Sequence, residues 1–477
     1  MKNNSLKTRE PIVVDLDGTL IYGDCLHEQL NRAIFFHPFF LIAAIWYLFQ
    51  GKAKFKERLS QKLLIDVELL PYNEELIKWL KVKREEGRTL ILATASNQVL
   101  ARKISEHLDL FDDVHASNGL INLKGSSKAQ LLKQVYGSFE YIGNSVDDLQ
   151  VWVYATKAYY VGESPKIIEA LKKKQNYAGQ FQSSKLGYWS LVRALRPHQW
   201  LKNILIFLPV VMAHQLSFAN LLSTSIAFVL FCAVASAGYL INDLSDVGSD
   251  RQNRYKNKRP FASGAISLPV GWLAVPILLT TSILVSVNYL PYQFTYSVIL
   301  YFILTFLYTK FLKSLPNIDI FTLSFLYILR MLAGGYAVNI DLSFWLVTFS
   351  LFFFISLGMM KRYSELLEME DSNKTLPGRA YKKDDASFVG TAGISSGYIA
   401  IAFLALYIKD LNISDLYKSP YYIWFVCPIM LYWITRVWFL AQRGQLHHDP
   451  VYFAAKDRVS WILISVIAVC FLIATIY

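Results

Sequence analysis

The feature that most constrains this chain is a series of nine apolar segments. They lie at roughly 200–217, 221–242, 268–290, 293–309, 318–338, 342–360, 389–408, 421–441 and 460–476, each near the ~20 residues that cross a bilayer as a helix. Between them the charges bunch, whereas before about residue 185 they are interspersed, as on a soluble domain. The net charge of +12 divides as +4 before that point and +8 after it. A basic excess bunched in short inter-helix loops marks the cytoplasmic side of a membrane protein, and nucleic acid is not an expected partner. With 54% hydrophobic residues, a disordered or collagen-like chain is excluded.

Placing the N-terminus inside puts Arg251, Arg254, Lys256, Lys258 and Arg259 in one cytoplasmic loop and Lys310 and Lys313 in the next. Lys361, Arg362, Lys374, Arg379, Lys382 and Lys383 follow, then Arg443, Lys456 and Arg458, while the outer loops hold Lys409 and Lys418. The expectation is a multi-pass protein of the cell (inner) membrane with a cytoplasmic N-terminal domain and an external C-terminus. The polar first ten residues give no cleavable signal peptide. Cys25, Cys232, Cys427 and Cys470 are too scattered for a disulfide framework or a zinc site.

Residues 11 to about 175 alternate short β-rich runs with helical stretches, as in a parallel sheet with crossover helices. Pro11–Val14, Thr89–Ala93 and Tyr141–Gly143 are strands that end at polar clusters, where such sheets present their ligand sites. Residues 172–185 read as linker, so the chain is multidomain, with a soluble domain over 1–185 and a membrane domain over 186–477. Residues 35–49, apolar and aromatic with basic residues after them, read either as a helix lying in the membrane interface or as a cap helix of the first domain.

Asp15-Leu-Asp17-Gly-Thr-Leu20 places two carboxylates two residues apart at the C-terminal end of the first strand. Such a pair can hold Mg2+ and divide two tasks, one aspartate attacking phosphorus and the other moving a proton. Together with Thr94 in Leu92-Ala-Thr94-Ala-Ser96, Lys128 in Ser126-Ser-Lys128-Ala-Gln and the run Gly143-Asn-Ser-Val-Asp147-Asp148, this half resembles the haloacid dehalogenase (HAD) superfamily. The resemblance implies a Rossmann-like α/β fold with Asp15 as nucleophile and Asp17 as acid/base. Thr94 would hydrogen-bond the phosphoryl group, Lys128 would neutralise developing charge, and Asp15, Asp17, Asn144 and Asp148 would surround Mg2+. Asn144 stands where the family usually has Asp, which removes one negative charge from the metal site.

In the membrane half, Asn242-Asp243-Leu-Ser-Asp246-Val-Gly-Ser-Asp250-Arg251 continues the second apolar segment. If the helix continues, Asp243, Asp246 and Asp250 share one face, and Mg2+ bridging to a diphosphate would relieve their mutual repulsion. This resembles the first aspartate-rich motif of the UbiA prenyltransferase superfamily, which implies an all-helical, nine-span fold with its site on the cytoplasmic side. Within it, Arg196-Pro-His-Gln-Trp200-Leu-Lys202-Asn203, Lys258-Arg259-Pro260, Lys361-Arg362-Tyr-Ser-Glu365 and Thr435-Arg436 through Asp457-Arg458 are similar to decaprenyl-phosphate phosphoribosyltransferases. Arg254-Tyr255-Lys256-Asn257 departs from their usual pattern.

Where related aromatic prenyltransferases carry a second aspartate-rich motif, this chain has Lys361, Arg362, Glu365 and Glu368, which favours a donor with an extra phosphate. Arg196, Lys202, Asn203, Asn242, Lys258, Arg259, Arg330, Lys361, Arg362 and Glu365 are the expected substrate contacts. Arg330, inside a span, either faces the cavity and meets a phosphate or carboxylate, or forms an ion pair that orients helices. His447-His448-Asp449 reads as a solvated loop. The implied activity is Mg2+-dependent transfer of 5-phosphoribose from phosphoribosyl diphosphate to a polyprenyl phosphate, with the HAD domain removing the 5-phosphate. The rival is an aromatic prenyltransferase using a prenyl diphosphate, with the HAD domain an inactive binding module.

Overall fold

The computed structural model describes residues 10–40, 46, 49, 55, 58–59, 61–63, 65–118, 122–183, 187–369, 375–376, 378–409, 417–446 and 450–476. The chain divides into two compact units, Met1–Leu195 with Tyr239–Val275, and Arg196–Gly238 with Pro276–Tyr477. The first break falls close to the linker expected near residue 185. The inclusion of Tyr239–Val275 in the first unit was not visible in the sequence.

The first unit is built on six parallel strands: β1 (Ile12–Val14), β2 (Leu90–Asn97), β3 (Asp113–Ser117), β4 (Glu140–Gly143), β5 (Lys157–Val161) and β6 (Tyr177–Phe181). Their order is β3-β2-β1-β4-β5-β6, so the chain changes direction across the sheet between β1 and β4, where doubly wound sheets open a crevice for ligands. Alternation along β1 sends Ile12 and Val14 into one buried cluster with Leu90, Leu92 and Ile104. Val13 goes to the other face with Ile91, Tyr141 and Trp152. Helices covering both faces make the apolar strand sequences necessary. After β1 the chain turns through Gly18, whose φ of +73° suits glycine. It then enters the helix Cys25–Phe36, capped by Asp24, whose carboxylate accepts the Leu26 and His27 N–H groups.

Of the segment 35–49, residues 41–45 and 47–48 lie outside the described residues. Phe36, Phe39, Trp46 and Phe49 are exposed, and Phe40 packs against the cluster of Ala33, Phe55, Leu59 and Leu63.

Among the described residues, seven helices are long and apolar enough to cross a membrane: Phe218–Ser245, Leu268–Tyr289, Ile318–Ala337, Phe344–Leu367, Lys383–Ile408, Pro420–Gln442 and Arg458–Ile476. Two of the nine expected segments are not among them. Residues 200–217 fold instead as a 3-10 helix, Pro197–Phe207, followed by the short helix Leu208–Met212, with Pro209 removing a backbone donor near the junction. The helix Tyr292–Lys310 has the length, but Tyr292, Tyr296, Tyr301 and Tyr308 lower its apolar character.

In the second unit, the close approach of Ile318–Ala337 to the 3-10 helix depends on Gly334, because a Cβ there would collide with the Ile206 carbonyl. Gly334→Ala is expected to lower stability by about 1–3 kcal/mol. Gly248→Ala, in the helix Val247–Gln252 with open space around it, should raise it by roughly 0.5–1 kcal/mol. Thermal unfolding in detergent compares the two, and equal shifts would refute the packing account.

Candidate active sites

The crevice between β1 and β4 holds most of the residues expected for the phosphatase chemistry. Asp15 ends β1 and is buried, and Lys128 Nζ donates to its Oδ1 at 2.7 Å. Lys128 also donates to the Tyr141 hydroxyl at 3.0 Å, and that hydroxyl donates to Asp148 Oδ1 at 2.7 Å. Asp17 accepts from the Cys25 N–H at 2.8 Å and from the Ser96 hydroxyl at 2.6 Å. Thr94 Oγ1 accepts from the Ser96 N–H at 3.0 Å, and its own O–H is a donor for an incoming phosphoryl oxygen.

Burial pushes the Asp15 carboxyl up to about 7; Asp148 and Asp17 add to this, and Lys128 opposes it. Asp17 is also raised, first by burial and then by Asp24. Burial favours the neutral amine at Lys128, but Asp15 and Asp148 outweigh it and hold the ammonium charged.

The expected metal ligands divide. Asp15, buried, and Asp17, half-buried, are carboxylates whose charged forms are disfavoured where they stand, the condition a divalent cation relieves. The Asn144 side chain lies over Gly18, where a Cβ would collide with its amide, so an amide oxygen stands beside the same loop. These groups fit a Mg2+ ion. Asp148 does not share that arrangement. Its Oδ2 accepts from the Asn144 N–H at 3.0 Å and the Ser145 N–H and hydroxyl at 2.9 Å each, and its Oδ1 takes the Tyr141 hydroxyl. In this structure Asp148 organises the turn after β4 and holds the Lys128 bridge. Among the described residues, no group of three or more His, Cys, Asp or Glu side chains is gathered for a metal ion.

The aspartate-rich run does not form one continuous helical face. The helix stops at Ser245, and Asp246 caps the next one, Val247–Gln252, with φ −95° and ψ 7°. Arg259 joins Asp243 and Asp250, at 3.1 and 2.7 Å, and burial raises Asp250 against the pull of Arg259. Asp246 lines a separate cavity of about 580 Å3 with Arg32, His37 and Ser249. Asn242 is half-buried, its carbonyl accepting from the Asp246 N–H, and Lys258 is exposed.

In the second unit, Arg330 is buried in Ile318–Ala337. It donates to Asn203 Oδ1 at 2.8 Å, the Leu326 carbonyl at 2.6 Å and the Tyr301 hydroxyl at 2.7 Å, with its guanidinium 4.8 Å from the Tyr301 ring centroid and 5.4 Å from that of Tyr327. These three acceptors are neutral, which distinguishes the arrangement from a helix-orienting ion pair. Lys202 lies 5.7 Å from the centroid of the same Tyr327 ring and lines a cavity of about 500 Å3 with Leu205, Phe354, Leu357, Trp433 and Ile467. Arg196 adopts φ +52° at the head of the 3-10 helix.

Arg362 departs from its expected role as a substrate contact. It is fully buried and pairs with Asp319 at 2.9 Å and with Glu365. Asp319 also receives Arg379 at 2.8 Å and the Tyr381 hydroxyl at 2.6 Å. Lys361, its neighbour, is half-buried. Arg436 pairs bidentately with Asp457 at 2.8 and 3.1 Å, and 447–449 lie outside the described residues. Sequence reasoning missed Ser96, Tyr141, Tyr301 and Asp319. Ser96 had a signal, two residues beyond Thr94. Asp319 had a weaker one, an acid opening an apolar segment.

The profile of the UbiA prenyltransferase family matches residues 203–456, more than half of the chain. The chain is 34% identical over 472 residues to the uncharacterized protein y4nM of Sinorhizobium fredii, covering 97% of this chain and 91% of that one. It is 33% identical over 287 residues to the nodulation protein NoeC of Azorhizobium caulinodans, covering 59% and 92%. It is 31% identical over 240 residues to the decaprenyl-phosphate phosphoribosyltransferase of Corynebacterium glutamicum, covering 49% and 71%. The chain belongs to the UbiA prenyltransferase family. It is a multi-pass membrane enzyme of that family, joined to an N-terminal α/β domain built on a six-stranded parallel sheet.

Removing one partner of a buried charge network leaves the others uncompensated. Asp319→Ala is expected to destabilise the protein by about 3–5 kcal/mol, seen as a lowered unfolding temperature in detergent. Arg379→Met should cost less, because that side chain is 20% exposed. An unfolding temperature unchanged in Asp319→Ala would show that the network contributes nothing.

Proposed function

We propose that the protein transfers 5-phosphoribose from phosphoribosyl diphosphate to a polyprenyl phosphate, and that its HAD-like domain then hydrolyses the 5-phosphate of the lipid product. The observation that carries the acceptor reading is the 500 Å3 cavity of the second unit, apolar along its length, with Lys202 the charged residue in its lining among the described residues. An apolar chain lies against such a wall while an ammonium holds its terminal phosphate. The similarity to the Corynebacterium glutamicum enzyme supports phosphoribose as the transferred group. The proposal includes nine crossings, counting Pro197–Met212 and Tyr292–Lys310, with the N-terminal domain in the cytosol.

An oxygen of the acceptor phosphate would attack C1 of the ribose while the C1–O bond to diphosphate breaks. The acceptor is already ionised, so no general base is required. Asp243, Asp246 and Asp250 would hold Mg2+, which supplies positive charge to the leaving diphosphate. In the structure Arg259 provides that charge to Asp243 and Asp250. In the HAD-like domain Asp15 would attack phosphorus to form an aspartyl phosphate, and Asp17 would give its proton to the departing sugar oxygen. Water would then attack the aspartyl phosphate, losing its proton to Asp17 and releasing inorganic phosphate. Lys128 and Thr94 would steady the phosphoryl oxygens. Asp15, Asp17 and the Asn144 amide would hold the Mg2+ that balances the phosphoryl charge.

Labelled phosphoribosyl diphosphate, a polyprenyl phosphate and Mg2+ are supplied to purified full-length protein, and lipid extracts are analysed by mass spectrometry. Label should enter lipid with the wild type and fall by about 100-fold or more in Asp246→Asn. The 5-phosphate should persist on the lipid in Asp15→Asn alone. No lipid label in the wild type, with turnover of a prenyl diphosphate and a phenolic acceptor instead, would establish the aromatic prenyltransferase reading.

A further inference from the structure

The phosphatase crevice is closed by residues from outside the N-terminal sequence domain. Within the first unit, the segment 253–268 packs on the loop that follows β1. Gly264 has φ +73°, and a Cβ there would come within 2.8 Å of Tyr22 Cβ, while Phe261 and Ile266 are buried. The helix Cys25–Phe36 is held at two points to residues flanking that segment. Asn31 donates to the Leu244 carbonyl at 2.8 Å and accepts from Trp272 Nε1 at 3.0 Å. Arg251 forks onto Glu28 at 2.7 and 3.1 Å and donates through Nε to the Ala262 carbonyl at 2.9 Å.

Between these elements lies a cavity of about 230 Å3 lined by Asp17, Asn144, His27, Glu28, Arg251 and Ser267, among others. It is smaller than the clefts that take drug-sized apolar ligands, and Asp17, Asp24, His27, Glu28 and Arg251 supply polar groups for a small hydroxylated ligand within a lining that is otherwise largely apolar. Glu28 and Arg251 also line the cavity that contains Asp246, so this ion pair is common to both. The bonds to Glu28 and Ala262 use three of the five guanidinium N–H groups, leaving a donor on each terminal nitrogen for a ligand. Each Glu28 oxygen likewise keeps acceptor capacity.

We propose that Arg251, fixed by Glu28, is a specificity-determining residue of the phosphatase cavity that binds the sugar hydroxyls of a pentose phosphomonoester while its phosphoryl group meets Asp15. The proposal rests on the phosphatase reading above. It assigns to a residue of the UbiA aspartate-rich run a part in the other reaction. A pentose would sit against the Arg251–Glu28 pair, and an apolar leaving group would forfeit those hydrogen bonds.

The test is calorimetric binding to full-length protein carrying Asp15→Asn, which holds a phosphomonoester without turning it over. Ribose 5-phosphate and inorganic phosphate are the two probes. Adding Arg251→Ala should raise the Kd for ribose 5-phosphate by about tenfold or more and move that for phosphate by less than about twofold. Glu28→Gln, a milder change that loosens the fork, should weaken ribose 5-phosphate selectively in the same direction. Equal weakening of both probes would mean that the pair merely supports the loop around Asp17, and no change in either would remove Arg251 from the cavity; both results overturn the proposal. If the Asp15→Asn protein with Arg251 intact binds neither probe, the phosphatase reading itself falls.

Discussion

A charge taken out of water must find an opposite charge or a full set of hydrogen-bond partners, and this requirement organises every site in the protein. Asp15 is buried with Lys128, and the Tyr141 hydroxyl links that ammonium to Asp148. Asp243 and Asp250 meet because Arg259 lies between them. Asp319 gathers Arg362, Arg379 and Tyr381. Arg330 solves the same problem with neutral oxygens and aromatic faces, from Asn203, Tyr301 and Tyr327. An arginine so compensated can accept an anion without first breaking a strong ion pair. Arg362 is instead paired with two carboxylates, Asp319 and Glu365.

That difference separates what was legible in the sequence from what was not. β1 and its aspartates were readable because the signal is local: a short β-branched run, then carboxylates at fixed spacing on one strand end. The family resemblance of the membrane half was readable for a similar reason. The pairing of Arg362 was not readable because its partner Asp319 lies on another helix, and nothing in the run Lys361-Arg362 reports it. The bonds of Asp148 were not readable either, because a carboxylate in a metal-binding motif and one tying down a turn carry the same letter. The fold brings the donors of Ser145 and Tyr141 to it.

Seven of the nine expected segments are long apolar helices among the described residues. Apolar length alone does not fix helix type, because residues 200–217 divide at Phe207–Leu208, just before Pro209, into a 3-10 helix and a short α-helix. The continuous helix drawn through Asp243, Asp246 and Asp250 ends at Ser245 instead. At this break Asp246 lines a cavity with Arg32 and Ser249, while Asp243 and Asp250 meet Arg259.

The same break bears on how two reactions can share one chain. Asp250 turns to Arg259, and the next residue, Arg251, turns to Glu28 on the helix that follows the phosphatase loop. The N-terminus of that helix donates through Cys25 to Asp17. Two short connections, a bidentate ion pair and one helical turn, thus link the aspartate-rich run to Asp17. The residues around Asp15 and Asp17 consequently belong to a compact unit of residues 1–195 together with 239–275. A fragment ending at the linker would lack Arg251, Phe261 and Gly264, and with them a wall of the cavity beside Asp17.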